Sequence, residues 1–432
     1  MKRIILMVVF ASAFLLVGCK NDDTTVNNSI ELPFKNVRDY GAKGDGITDD
    51  TSPLNSALSG GGDIYFPMGT YRVVSTLQVN KPSNLRGAGD GLSIIQMSAT
   101  SATPTFLVRS SNTTISDLSV VGPSPSESTY IAGQSGILVG PKLGEQLCHN
   151  VRIRDCSVYN YGFQGIEFDS VATGYITDCN VYRIGYAAIA CLSCLDVVVN
   201  GNVVESVKPG FQGNAYGIKF SHWTVQEPKS TRCVADGNII QDIPVWEGLD
   251  THDGTYITFS NNVVLNCKLG ISAGPGNGAT EPVHDIIISG NTIVAGDAAH
   301  QHNGIVVTGL LAAYAYNISV ANNSVDGYGE TGNDARGAIH ADATGGVVVT
   351  GNSVTHSAEV GIVFWHHNTL FNCTGNLVDA VQSTTQAYGI RVRDRFNTGL
   401  IASNIANGLP ICVNSDPSNS VTVTNNVASP CP

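Results

Sequence analysis

From residue 112 to the end of the chain one short phrase keeps returning: a β-type run, a small or polar residue, often Asn, then Val or Ile. One copy reads Ile176-Thr177-Asp178-Cys179-Asn180-Val181, another Phe259-Ser260-Asn261-Asn262-Val263-Val264. The equivalent positions are Leu118, Cys156, Cys179, Asn202, Asn238, Asn262, Asn291, Asn323, Asn352, Asn376, Asn404 and Asn426, spanning 308 residues in eleven steps, a mean of 28. A second phrase lies between them, as in Gly165-Ile166, Gly217-Ile218, Gly248-Leu249 and Gly389-Ile390. Steps of 22 to 38 residues, all strand-like, are too short for propeller blades and lack the helices of other repeat classes. They suit a parallel β-helix with three short strands per coil. One coil cannot bury its apolar positions alone, so neighbours stack and Val and Ile form interior ladders. Asn at one fixed place can bond its amide to the Asn of the next coil, and Cys156 and Cys179 occupy that place as packing residues. The expectation is an all-β, single-stranded solenoid of about 12 coils.

Composition agrees. Charged residues are 13% of the 432, Gly reaches 47, and a 42% hydrophobic content supplies a core and excludes disorder. A net charge of -12 argues against nucleic acid as a partner, because backbone binding needs a basic surface. At the start, Lys2 and Arg3 precede an apolar run from Ile4 to Val17 that is too short to span a bilayer. Leu16-Val17-Gly18-Cys19 resembles the lipobox of bacterial lipoproteins. That resemblance implies a signal peptide over 1–18, lipidation of Cys19, and an anchor in the outer membrane. Residues 19–33 then read as a polar tether and 34–432 as one domain. Ten further cysteines suit an oxidising compartment, with their pairing left open.

A solenoid needs its ends covered, and Leu54, Ala57 and Leu58 share one face of a short helix predicted around 50 to 58, with Thr48 as its N-cap. The stretch from Asn36-Val37-Arg38-Asp39-Tyr40-Gly41 through Asp45-Gly46-Ile47-Thr48-Asp49-Asp50-Thr51 resembles the opening motif of the pectate-lyase-like superfamily, which includes rhamnogalacturonase-like, epimerase-like and phage tailspike proteins. Gly60-Gly61-Gly62-Asp63-Ile64-Tyr65-Phe66-Pro67 and Leu85-Arg86-Gly87-Ala88-Gly89 continue the likeness, so the specific motif covers 34–95. The resemblance implies a right-handed parallel β-helix acting on carbohydrate. It makes the Asp residues of the opening motif a fold signature and leaves them out of the catalytic set.

Ladders permit a spatial argument. With the Ile of the Gly-Ile phrase pointing inward, residues one and three later point outward. Down the stack this gives Glu167/Asp169, Lys219/Ser221, Asp250/His252, His340/Asp342 and Arg391/Arg393 on one outer sheet, the expected substrate groove. Its densest point is Trp246-Glu247-Gly248-Leu249-Asp250-Thr251-His252-Asp253, with Lys219 one coil away. A base, a carboxylate and a cation at that spacing can abstract a proton beside a uronate carboxyl and offset the enolate charge. Asp250-Thr251-His252-Asp253 also resembles the Asp-Pro-His-Asp motif of mannuronan C5-epimerases, with Thr for Pro. By that resemblance His252 transfers the proton and Asp250 orients it. The charge expected on the following coil is missing, where Ser272 and Gly274 stand.

Lys219, Asp250, His252 and Asp253 are therefore the predicted catalytic group. Glu167 and Asp169, three coils away, are too far to form a hydrolase pair with Asp250 and are read with His222 as substrate-binding. His340, Asp342, Arg391 and Arg393 are read as subsites for an anionic chain, and Trp246 and Trp365, with Trp223 and Tyr388, as sugar-stacking platforms. His300-Gln301-His302 and His366-His367 lack carboxylates at defined spacing, and Cys191-Leu-Ser-Cys194 stands alone, so no metal site is read. No cofactor is required, although Ca2+ could bridge a uronate to Asp or Glu. The leading function is β-elimination or C5-epimerisation of an acidic polysaccharide. A glycoside hydrolase of the same fold and a non-catalytic polysaccharide-binding or adhesion protein remain the alternatives.

Overall fold

The computed structural model describes residues 34–432 except 125–129, 141–145, 225, 277, 297–301, 380, 383–386 and 432. The signal peptide, Cys19 and the tether lie outside the described residues. Within them every paired strand is parallel to its neighbour, and three ladders run the length of a β-helix. Each coil is thus a parallel crossover, for which right-handed winding is the rule. One ladder runs in an unbroken order of 15 strands from Lys35–Asn36 to Ser420–Thr424. The stack exceeds the 12 coils counted from the repeat positions because residues before Leu118 form further coils. The other two ladders join into one sheet because Ile239–His252, Val263–Gly274 and Ile405–Val413 bend around the corner without a break.

The interior follows from the Gly-Ile phrase. Ile166, Ile189, Ile218, Leu249, Ile271, Ile305, Ile339, Ile362 and Ile390 pair in unbroken register. All are buried, each contributing roughly 1.5–3 kcal/mol by leaving water. The preceding Gly also faces inward: a Cβ at Gly248 would stand 2.7 Å from Val264 Cγ1 and 2.9 Å from the Gly270 carbonyl. Two consecutive interior positions at that corner break the alternation of the strand.

The Asn ladder is present. Asn262 Nδ2 donates to Asn291 Oδ1 at 3.0 Å, and Asn291 Nδ2 to Asn323 Oδ1 at 2.9 Å. The chain of amides extends from Asn202 to Asn426. Cys179 joins its lower end through a backbone N–H donated to Asn202 Oδ1, and Cys156 and Cys179 are buried packing residues. The residue before each ladder position takes a left-handed turn, as at Asp178 (φ 54°), Gly290 (φ 68°) and Asn322 (φ 56°), which is why Gly, Asp and Asn recur there. A second amide ladder, Asn368 to Asn397, with the Asn397 N–H passed on to Asn419, escaped the sequence reading. Cys412 and Cys431 form a disulfide that spacing did not assign.

The helix is Thr51–Leu58 and buries Leu54, Ala57 and Leu58. Its N-cap is Asp50, not Thr48, because Thr48 is engaged by the turn at Asp45, which accepts both its N–H and its hydroxyl. Asn55 Oδ1 accepts the Gln78 N–H, so the helix satisfies a group on the first strand of the third ladder, Leu77–Val79.

Candidate active site

The outward positions align as the repeat requires. Glu167, Ala190, Lys219, Asp250, Ser272, Val306, His340, Val363 and Arg391 are successive register partners. The face they form is less open than expected. Glu167, Lys219, Asp250 and His340 are all buried, and loop residues such as Trp223, Thr224 and Pro275 wall the space at this face. One described groove, about 460 Å3, opens there. Its walls include Tyr186, Tyr216, His222, Trp223, Trp246, His252 and Gly276.

His252 is the ionisable group that reaches the groove from the floor strand. Its side chain is 25% exposed, and its Nδ1 lies 2.9 Å from Asp250 Oδ2, while Asp250 itself is fully buried. The approach is a charge contact with poor hydrogen-bond direction, since neither Asp250 oxygen has a directed donor. Burial opposes charging the imidazole, but Asp250 and then Glu247 outweigh it and push its pKa up to about 9. The flanking carboxylates thus hold the proton on the imidazole at neutral pH.

Lys219 occupies the rung beside Asp250 but does not line the groove. Its ammonium lies 4.2 Å from the Tyr216 ring centroid and 5.6 Å from that of Tyr186, and burial lowers its pKa against the pull of Asp250 and Glu247. It is thus a buried cation against the Tyr186 and Tyr216 rings, not an exposed one. Asp253 turns away from Asp250: its Oδ2 lies 3.0 Å from His222 Nε2, with both side chains buried. The fold thus makes two imidazole–carboxylate pairs at one groove, Asp250–His252 on the floor and Asp253–His222 on the wall.

Glu247 was missed. Strict alternation places it inward with Leu249, but the two interior positions at Gly248-Leu249 bring it out beside Asp250. It is 3% exposed, and burial followed by the charge of Asp250 pushes its carboxyl up to about 8. Glu247, Asp250 and His252 each offer a ligand atom, all within 4.8 Å of one another. Three groups that could hold a metal ion therefore stand close together here. Tyr216, the register partner of Glu247, was missed for the same reason. The readable signal was the residue before each Gly-Ile phrase.

The remaining predicted residues form separate groups. Glu167 accepts a hydrogen bond from Ser135 at 3.0 Å, and burial pushes its carboxyl up to about 8. Asp169 accepts from Ser170. Asp342 pairs with His366, so that histidine does have a carboxylate partner, supplied by the neighbouring coil rather than by local spacing. His340 is buried against Trp365, and burial holds its imidazole down at about 4. Arg391 and Arg393 both pair with Asp334, at 2.8 and 2.7 Å, which neutralises much of the charge expected to meet an anionic chain. Trp223, 41% exposed, stacks on Phe163, Trp246 borders the groove, and Tyr388 lies beneath Arg391.

Mannuronan C5-epimerase AlgE1 of Azotobacter vinelandii is 29% identical over 184 residues, covering 35% of this chain and 13% of that protein. The preneck appendage protein of Bacillus phage PZA is 30% identical over 138 residues, covering 30% of this chain and 16% of its own length. The chain thus aligns with about a sixth or less of these relatives. Among solved structures, the AlgE6 A-module of A. vinelandii aligns over 92% of this chain and 100% of its own, with a TM-score of 0.54 and 18% identity. The N-terminal fragment of gene product 12 from bacteriophage Phi29 aligns over 90% and 71%, with a TM-score of 0.64 and 15% identity. At such identities the structures share the fold alone. The family described as rhamnogalacturonase A/epimerase, pectate lyase-like, matches residues 34–291, and the chain belongs to it.

Proposed function

We propose that this protein is a carbohydrate-active enzyme that acts on a uronate-containing polysaccharide by proton transfer beside the carboxylate, as β-elimination or C5-epimerisation. The observation that carries this reading is His252: an imidazole on the floor of an aromatic groove, held by a buried carboxylate, with a buried cation on the adjoining rung. The matches to mannuronan C5-epimerases support it. In this reading His252 exchanges the proton, Asp250 orients it, and Lys219 stabilises negative charge developing above Tyr216. His222, held by Asp253, and the rings of Trp223 and Trp246 bind the sugar. Glu167, Asp169, His340, Asp342, Trp365, Arg391 and Arg393 belong to outlying subsites. No cofactor takes part, and calcium, if bound, bridges substrate to carboxylates.

A hydrolase is the nearest rival, since Glu247 and Asp250 form a close carboxylate pair. Both are buried behind His252, which favours proton transfer. Incubation with a panel of polyuronates separates the readings. Unsaturated ends detected in the ultraviolet mark a lyase, inverted sugars by NMR an epimerase, and new reducing ends without unsaturation a hydrolase. Binding without any product marks an adhesion protein. We further propose that lipidated Cys19 anchors the enzyme in the outer membrane. Palmitate labelling lost in Cys19→Ser would support the anchor, and equal labelling would exclude it.

A further inference from the structure

Three buried or half-buried side chains converge at the groove floor with their hydrogen bonding incomplete. Glu247 and Asp250 are 3% and 0% exposed, and Glu247 Oε2 and both Asp250 oxygens have no directed hydrogen-bond donor. With His252 they present three ligand atoms within 4.8 Å of one another. Carboxylate oxygens left unpaired in a buried site are costly, and a cation or a proton relieves the cost. Lys219 does not provide that relief directly. Its ammonium lies over the Tyr216 ring, and no ion pair to Lys219 occurs among the described residues.

We propose that Glu247, Asp250 and His252 form a binding site for a divalent transition metal of the zinc class, and that loading this site switches the groove off. The donor set selects the ion. One imidazole nitrogen with two carboxylates suits zinc or manganese, whereas calcium takes six to eight oxygens and has no use for the imidazole. Metal–ligand bonds of about 2.0–2.2 Å require the three atoms to close in modestly from their present spacing. His252 faces Asp250 with Nδ1, so that nitrogen is the ligand. An imidazole that gives Nδ1 to a metal keeps its proton on Nε2 and cannot accept another. Three protein ligands leave an open position toward the groove, where a substrate carboxylate or water completes the shell. Once the ligands give up their protons, the two ionised carboxylates outweigh Lys219 by one charge, which favours the ion, so metal uptake releases protons.

The test is metal binding itself, which does not depend on the proposed activity. Purified protein stripped with chelator is titrated with Zn2+, Co2+ and Ca2+ by calorimetry, with Co2+ followed through its visible d–d bands. The expected result is one equivalent of Zn2+ and of Co2+, at least tenfold weaker binding in Glu247→Gln and Asp250→Asn, and no comparable Ca2+ site. Circular dichroism and melting establish that the variants fold, and His252→Asn serves as a third probe if one does not. Absence of stoichiometric binding, or undiminished binding in folded Glu247→Gln and Asp250→Asn, overturns the proposal. Where a polyuronate substrate is found, one equivalent of Zn2+ abolishes turnover and chelator restores it; full activity in the loaded protein also overturns the switch. A metal that binds to protein inactive on every polyuronate leaves this site standing and counts only against the proposed reaction.

Discussion

Asn291→Leu removes every polar atom of a ladder side chain while keeping its branching. Asn291 is 1% exposed. Its Oδ1 accepts the Asn262 N–H at 2.9 Å and Asn262 Nδ2 at 3.0 Å. Its Nδ2 donates to the Phe259 carbonyl at 3.0 Å and to Asn323 Oδ1 at 2.9 Å. The substitution leaves the buried Asn262 N–H without its acceptor, at roughly 1–3 kcal/mol, and removes three further bonds worth about 1 kcal/mol each. Leucine regains part of this by burying apolar surface, so the net loss is about 3–5 kcal/mol. Unfolding entropy of about 0.8 kcal/mol/K for a solenoid of roughly 400 residues turns that into a melting shift of about 4–6 °C. Asn407→Ala is the control. It removes a bond from Nδ2 to Asp379 Oδ1 that is exposed, and should cost no more than about 0.5 kcal/mol. Scanning calorimetry of both variants gives the answer, and coincident melting of Asn291→Leu with the parent refutes the ladder as a source of stability.

Three further outcomes follow from the groove. A catalytic His252 must lose its proton before it can abstract another, so turnover should climb with pH toward about 9; a plateau already reached at pH 7 contradicts that role. Stability should run the other way. His252 has a folded pKa raised to about 9, so its contribution is complete below about 6.5 and is lost as pH rises through 9. Glu247, raised from 4.5 to about 8, lowers stability as pH rises from about 4.5 to 8, because the unfolded carboxyl ionises first, and Glu247→Gln should flatten the fall in melting temperature between about pH 5 and 8. Gly276→Ala should weaken substrate binding without unfolding the protein, because its Cβ would stand 2.6 Å from Asp253 Oδ2 and push that carboxylate off His222; an unchanged KM would remove His222 from the binding set.

The path from sequence to structure was uneven for physical reasons. A solenoid repeats one register, so a single Gly-Ile phrase per coil was enough to align Glu167, Lys219, Asp250, His340 and Arg391 on one face. The same rule misplaced Glu247, because the corner carries two interior residues in succession and a strict two-residue period does not allow for that. Burial of the outward face was also illegible. It depends on loops of irregular length, which carry no period. The pairing of His222 with Asp253 joins a loop to a strand end one coil away, and the salt bridges of Asp334 reach two arginines more than fifty positions along the chain. Such contacts follow from how loops pack, which no ladder encodes. The titration of His252 likewise depends on two carboxylates brought close by that corner, which residue type alone does not show.

The measurement that bears most directly on the proposed chemistry is turnover of polyuronates by His252→Ala beside the parent protein, with unsaturated ends followed in the ultraviolet and inverted residues by NMR. The parent should yield one of these products. The variant should melt as a folded protein and retain much of its binding through Trp223, Trp246 and His222, yet turn over at least a hundredfold more slowly. Equal turnover by parent and variant would contradict the assignment and move the reaction centre away from the Asp250–His252 pair.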